Sequence, residues 1–148
     1  MSQFSLLTGR EELFPLCEEM AGQLYDYLSK KSVHYKGERV RWYDRTRQLT
    51  RSCYDLRITV AVVNPQKYPV GYSIACLYDK GKRGVIEDLY VREQYRRVGV
   101  GNKIMCDVLT WLENVKAQQI NVSYGNESVL KFCEKYNFYP KEYSLFKK

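Results

Sequence analysis

The sequence predicts an α/β fold in which a mixed, largely antiparallel sheet is covered by helices. Three observations predict it. Segments with helical apolar spacing open the chain. A central stretch then changes to strands rich in β-branched residues, joined by short turns. Strand, helix, strand and helix follow in that order up to the C-terminal region.

The elements are read in order. Phe4 to Leu7 suits a short first strand. Thr8 and Glu11 have the spacing of a capping box, and Leu13, Leu16, Cys17, Met20, Leu24 and Leu28 then recur with helical period. Pro15 is tolerated only in a first turn, so the helix is expected to start later than that box implies. Glu38 to Ser52 reads as a polar helix or ordered loop with a weak stripe at Val40 and Tyr43. Asp55 to Val63, Val70 to Tyr78 and Val85 to Val91 read as three strands. Asn64 to Pro69 and Asp79 to Gly84 turn the chain between them, which makes this part an antiparallel meander. From Asn102 to Lys116, the residues Ile104, Val108, Leu109, Leu112 and Val115 form one helix face. Gln119 to Tyr124 is a further strand, so Val85 to Tyr124 reads as a right-handed strand–helix–strand crossover. Asn126 suits the N-cap of a second amphipathic helix carrying Val129, Phe132, Cys133 and Tyr136, and Tyr143 to Phe146 suits a last strand. No linker or repeat divides the chain, so residues 1–148 are read as one domain.

Composition narrows the function. At 148 residues with 45% hydrophobic content, the chain suits one folded domain with a sizeable core. A net charge of +7 favours anionic partners: nucleic acid, phosphates or a phosphorylated cofactor. No leader-like segment or run of about 20 apolar residues stands in the sequence, so no membrane partner and a cytoplasmic location are expected. The five cysteines are odd in number and widely spaced without a CxxC pair, and His34 is the only histidine. Neither a disulfide framework nor a metal site is expected.

The densest signal is YVREQYRRVGVGNKIM, Tyr90 to Met105. Gly99 and Gly101 lie between a strand and a helix, where a tight turn directs backbone amides into one concavity that suits phosphate. Arg96 and Arg97 add positive charge. A Walker loop needs Ser or Thr after its Gly-Lys pair, and here Asn102 and Lys103 follow Gly101. A dinucleotide fingerprint needs a third glycine where Ile104 stands.

The pattern Arg96-x-x-Gly99-x-Gly101 resembles the acyl-CoA-binding motif of the GCN5-related N-acetyltransferase (GNAT) superfamily. Ile86 to Val91 (IEDLYV) resembles the family's fourth strand, and Asn126 to Phe138 resembles its Asn-containing helix segment. Together they cover roughly the second half of the chain. The resemblance implies a sheet whose fourth and fifth strands splay, with acetyl-CoA (coenzyme A) as cofactor. It implies that the backbone of Arg96, Arg97, Val98, Gly99, Val100 and Gly101, reaching to Asn102, holds the pyrophosphate. It places the pantetheine arm along Leu89, Tyr90 and Val91, chiefly at the amides of Leu89 and Val91, with Asn126 close by. The amide of Leu89 is the implied oxyanion donor.

The implied activity is acetyl transfer to a primary amine, which requires a base for the ammonium and an acid for the departing thiolate. Glu87, a carboxylate in an apolar strand, is the first choice for the base; Asp88 is the second. Period two puts the two on opposite faces, so at most one is expected to face the acceptor. The tyrosine that often serves as the acid falls at Cys133 here. Cys133, Tyr136 and Tyr124 are the candidates for that proton, beside direct protonation by solvent. A covalent acyl-cysteine route lacks an activating histidine at motif spacing.

The resemblance builds the acceptor site from the early helices and their loop: Glu18, Glu19, Tyr25, Asp26, Tyr27, Tyr35, Trp42 and Tyr43. Aromatic and acidic groups suit a cationic amine, either a small molecule or a peptide. The alternative is a coenzyme A-binding or basic RNA-associated module. Arg41, Arg45 and Arg47 are the only cluster toward it, and a homodimer is admissible under either reading.

Overall fold

The computed structural model describes residues 3–31, 42–121 and 127–140. In chain order these form β1 (Phe4–Gly9), α1 (Phe14–Lys31), α2 (Trp42–Ser52), β2 (Asp55–Val63), β3 (Tyr68–Tyr78), β4 (Arg83–Val91), α3 (Val100–Trp111), β5 (Ala117–Ile120) and α4 (Glu127–Glu134). Among the described residues the strands make one sheet in the order β1-β2-β3-β4-β5. The first four pair antiparallel, and β5 joins β4 in parallel. The α/β class and the largely antiparallel mixed sheet follow the sequence expectation.

Each face of the sheet carries one apolar layer. Cys17, Met20, Ala21, Leu24 and Leu28 of α1, with Trp42 and Leu49 of α2, pack on Ile58, Val60, Tyr72, Ile74 and Cys76. Val100, Ile104, Met105 and Val108 of α3, with Cys133 of α4, pack on Ala61, Ala75 and Ile86 from the other side. Successive side chains of a strand point to opposite faces, which is how one sheet serves both layers.

Several boundaries differ from the sequence reading. Thr8 lies in β1, and the short 3-10 turn at Glu11–Leu13 has no side-chain cap at Arg10. Instead, the carboxylate of Glu12 accepts the Arg10 amide at 2.9 Å, and α1 begins with Pro15 in its first turn. The buried stripe of α2 is Trp42, Thr46 and Leu49, while Tyr43 is exposed. Helix α3 starts at Val100, two residues before the expected Asn102, because the left-handed Gly99 ends the preceding turn there. Strand β5 begins at Ala117, ahead of the expected Gln119. The expected elements at 122–124 and 143–146, and the Asn126 cap, lie outside the described residues.

Two glycines seat α3 on the sheet. A Cβ on Gly71 would stand 3.1 Å from Ile104 and 3.2 Å from Val100, at the helix's first turns. One on Gly84 would stand 2.6 Å from Leu112, at its end. Asp107 ties the middle of the same helix to β2. It accepts from Arg57 at 3.0 and 2.7 Å and from the Thr59 hydroxyl at 2.7 Å. Burial alone would raise the Asp107 carboxyl, but these donors outweigh it and hold its pKa below the usual range. Because folding lowers that pKa, the stabilisation is complete above the unfolded value of about 3.9 and disappears as pH falls through the folded one. Asp107→Asn is therefore expected to cost about 1–2 kcal/mol at pH 7, allowing for partial solvent screening, with the gap narrowing below about pH 3. Urea melts of both chains at the two pH values check this.

Candidate active site and coenzyme cradle

A β-bulge organises the site. Ile74 pairs with Asp88 and the next residue, Ala75, pairs with Ile86, so Glu87 is the extra residue of β4. The bulge breaks the alternation that the sequence reading assumed. Ile86 and Leu89 join the α3 layer, whereas Asp88 and Glu87 both bond tyrosines on the α1–α2 side. The expectation of opposite faces is thus corrected: the two carboxylates share one face.

They are held differently. Asp88 is 5% exposed and accepts from both guanidinium nitrogens of Arg45, at 2.8 and 2.5 Å, and from the Tyr72 hydroxyl at 2.7 Å. Burial opposes the charge of Arg45, yet Asp88 raises its pKa further, so the guanidinium stays charged. The hydroxyl of Tyr72, buried beside this carboxylate, is pushed well above its ordinary pKa and acts as a donor. Glu87 is half-buried; the Tyr78 hydroxyl donates to its Oε2 at 2.6 Å and the Asn121 amide to its Oε1 at 2.6 Å. Burial, with the Glu87 bond next, keeps Tyr78 protonated far into alkaline pH.

The edge of β4 beyond the bulge is the second part of the site. Parallel pairing of β4 with β5 runs from Arg83/Ala117 to Ile86/Ile120 and closes with the Asn121 amide donating to the Ile86 carbonyl. Strand β4 continues to Val91. The Arg92 amide donates to the Val70 carbonyl at 2.8 Å, which fixes the hydrogen-bonding phase of this part of the ladder. Bonded pairs then fall at Tyr72/Tyr90 and Ile74/Asp88, and the amides of Leu89 and Val91 point away from β3, toward the β5 side. Among the described residues no β5 group meets them there.

The third part is the turn into α3. Arg97 has φ 64° and Gly99 φ 91°, left-handed conformations separated by one residue. Such alternation turns successive N–H groups inward, and the helix start adds its own orphan amides. Among the described residues no backbone carbonyl accepts from the amides of Arg97, Val98, Gly99, Val100, Gly101 or Asn102; the first bond is from Lys103 to Gly99 at 3.0 Å. Gly99 opens on free space, with nothing within 4 Å of where a Cβ would stand. This concavity fits a phosphate-bearing cofactor without side-chain chemistry. Arg97 is exposed, while Arg96 folds back: its Nε donates to the Val91 carbonyl at 2.8 Å and its guanidinium lies 5.4 Å from the Tyr90 ring centre.

The acid candidates separate. Cys133 is 2% exposed in the α3 layer, and burial pushes its thiol up to about 11. Tyr136 follows α4; its hydroxyl donates to Asn102 Oδ1 in the first turn of α3, and its ring packs on Phe132. Burial raises the Tyr136 pKa, so it too is protonated at neutral pH. Tyr124 lies outside the described residues, as does Asn126.

Several early-helix residues are engaged elsewhere. Tyr25 is buried and accepts from Arg45 at 2.6 Å, and Trp42 is buried edge-on against Phe14. Glu19 accepts from the buried Arg92 at 2.7 Å. Tyr35 and Arg41 lie outside the described residues. Arg45 is committed to Asp88, and Arg47 stacks on Tyr43 beside a shallow cavity of about 440 Å³ on the outer face of α2, so the arginine cluster divides. Sequence reasoning missed Arg45, Tyr78 and Asn121, since their roles depend on pairing across the sheet.

Comparison with known proteins agrees with this geometry. A family model described as the acetyltransferase (GNAT) family matches residues 21–138. Aminoglycoside N-acetyltransferase AAC(6')-Iy, solved in complex with CoA, superposes with a TM-score of 0.72 at 13% identity, over 100% of this chain and 95% of that one. A candidate acetyl transferase from Pyrococcus furiosus gives 0.74 at 19% identity, over 99% of each chain. The tetramutant BH1408 protein from Bacillus halodurans gives 0.72 at 16%, over 97% of this chain and 99% of that one. At such identities the likeness is one of fold. A search of the curated proteins finds no match. With most of its length matched by the family model and the glycine turn in place, the chain belongs to the acetyltransferase (GNAT) family, whose general chemistry is acetyl transfer from acetyl-CoA.

Proposed function

We propose that this protein transfers an acetyl group from acetyl-CoA to a primary amine of a small molecule or peptide, with Glu87 as the base. The observation that carries this reading is the position of Glu87. It is the one bulged residue of β4, next to the last pair with β5 among the described residues, and its neighbour Asp88 is committed to Arg45 and Tyr72. Bound at the cradle, the coenzyme supplies an activated acyl thioester.

The chain's own groups divide the remaining tasks. The amides of Arg97 to Asn102 hold pyrophosphate, Arg96 and Arg97 add positive field, and the strand amides of Leu89 and Val91 hold the pantetheine arm, with Tyr90 between them and Asn126 the adjoining side chain. The Leu89 amide serves as oxyanion donor. Glu87 takes a proton from the acceptor's ammonium; Tyr78 and Asn121 fix the carboxylate so that no reorganisation is needed at that moment. For the final proton, the Tyr136 hydroxyl is bonded to Asn102 at the phosphate end of the cradle and the Cys133 thiol faces the core, so solvent protonates the departing thiolate.

Acetyl-CoA consumption measured across polyamines, amino sugars, amino acids and peptide amines tests the reading. Turnover with one amine class is expected. Coenzyme binding without turnover on any class would leave a coenzyme-binding module instead. With the accepted amine, Tyr136→Phe and Cys133→Ala are both expected to retain the alkaline limb of the pH–rate profile; loss of the limb in either would make that residue the acid.

A further inference from the structure

We infer that Arg45 is a positioning residue: its fork on the buried Asp88 selects the register of β4 beyond the bulge. The sheet alone carries the register claim; its consequence for turnover rests on the acetyltransferase reading.

Two registers compete for the end of β4. In the observed one, Asp88 stands opposite Ile74, on the α1–α2 side. If the bulge closed, Glu87 would take that place and Asp88 would move opposite Ser73. A slip of one residue turns every following side chain to the other face. Asp88 would then enter the layer that holds Ile86, Leu89, Val91 and Ile104, an apolar setting in which a carboxylate needs a partner. Tyr90 would follow the same inversion and leave the Tyr72 side, where its ring now stands 6.4 Å from that of Tyr72.

Apolar packing discriminates weakly between the two registers, because Leu89 and Val91 are only partly buried. Charge discriminates strongly. Arg45 offers two nitrogens to two carboxylate oxygens, and its Nη1 also donates to Tyr25 on α1. The Tyr72 hydroxyl completes the carboxylate from β3. Asp88 is therefore satisfied by α2 and β3 at one point only, and buried ion pairs are best attested in this specifying role. Lysine would keep the charge but lose the fork.

The register decides which amides face the coenzyme edge. In the observed phase Asp88 and Tyr90 donate to β3 while Leu89 and Val91 point away. With the bulge closed, Leu89 would stand opposite Tyr72 and donate to β3, and the amide of Tyr90 would face the gap. The Arg45–Asp88 pair thus sets the phase of the groups assigned to the pantetheine arm, and leaves Glu87 on the face it occupies.

Amide hydrogen exchange followed by NMR tests this without coenzyme or acceptor. In the parent chain, Asp88 and Tyr90 should exchange at least about tenfold more slowly than Leu89 and Val91. Arg45→Met is expected to invert that order while Val85 and Ile86, upstream of the bulge, keep theirs. If Arg45→Met does not fold, Arg45→Lys is read in the same way. Alternation that survives, whether protection is unchanged or reduced along all of β3 and β4, would overturn the inference. Inverted alternation in a chain whose parent acetylates no amine would uphold the register claim and sink only the catalytic reading.

Discussion

Glu87→Gln lowers kcat by about 10²- to 10⁴-fold, the usual worth of a positioned general base, while acetyl-CoA affinity stays within about twofold of the parent. The amide is close to isosteric, so the bulge and the β4 edge persist. What changes is proton affinity and one hydrogen bond. Glu87 now accepts from both Tyr78 and Asn121, whereas glutamine offers a single acceptor oxygen. Tyr78→Phe separates the two effects. It removes a donor and leaves the carboxylate, so a much smaller fall in kcat is expected. Steady-state kinetics at saturating acetyl-CoA and calorimetric titration with coenzyme A measure the two quantities; an unchanged kcat in Glu87→Gln removes this residue from the mechanism.

Gly99→Val is expected to weaken coenzyme A binding by at least about tenfold and to cost about 1–3 kcal/mol of stability, the range for a residue held in a sparsely populated backbone region. At φ 91° and ψ 2°, Gly99 occupies a region that a β-branched residue resists strongly. Either the strain is retained or the turn changes shape and its amides diverge. The added side chain also enters the open space above the turn. Gly99→Asn tells conformation from crowding, because asparagine tolerates the left-handed region. Asparagine restoring stability but not affinity would assign the loss to crowding. Calorimetry of coenzyme binding and thermal unfolding of the two variants provide both readouts, and full affinity in Gly99→Val would mean the turn is not the cradle.

Much of this architecture was legible in the sequence, for local reasons. The three meander strands carry β-branched runs bounded by turn residues, and the α3 stripe has clear helical period. The glycine turn announced itself because glycine suits a left-handed residue before a helix best, and Gly99 is such a residue; Arg97, which shares the conformation, gave no such signal. The capping box failed because Thr8 was claimed by pairing with Thr59 of β2, a long-range contact that outcompetes a local cap. Tyr43 left the expected stripe for a related reason, while Val40 lies outside the described residues: the face of α2 is set by Trp42 packing on Phe14 and by Arg45 reaching Asp88.

The least legible feature was the one nearest the chemistry. Strict alternation assumes that every residue of β4 has a partner on β3. One unpaired residue, Glu87, moves Asp88 across the sheet, and nothing in the local sequence of the strand marks it. Arg45 looked like part of a basic patch because its carboxylate lies 43 residues away along the chain. A residue's role in such a site depends on register, and register is a property of the whole sheet.

The glycine seats beneath α3 give the helix a mechanical character. Twelve residues make a rod of about 18 Å, resting on Gly71 near one end and facing Gly84 near the other. A beam on two bearings does not pivot until one bearing is raised. Enlarging Gly84 to alanine presses a Cβ on the tip of the buried Leu112 side chain, so that side chain must shift or the far end of the helix must rise. Because Gly71 bears on the first turns, the leading amides stand close to the support that does not move. The helix is thus a beam held most firmly at the end proposed to meet the phosphates.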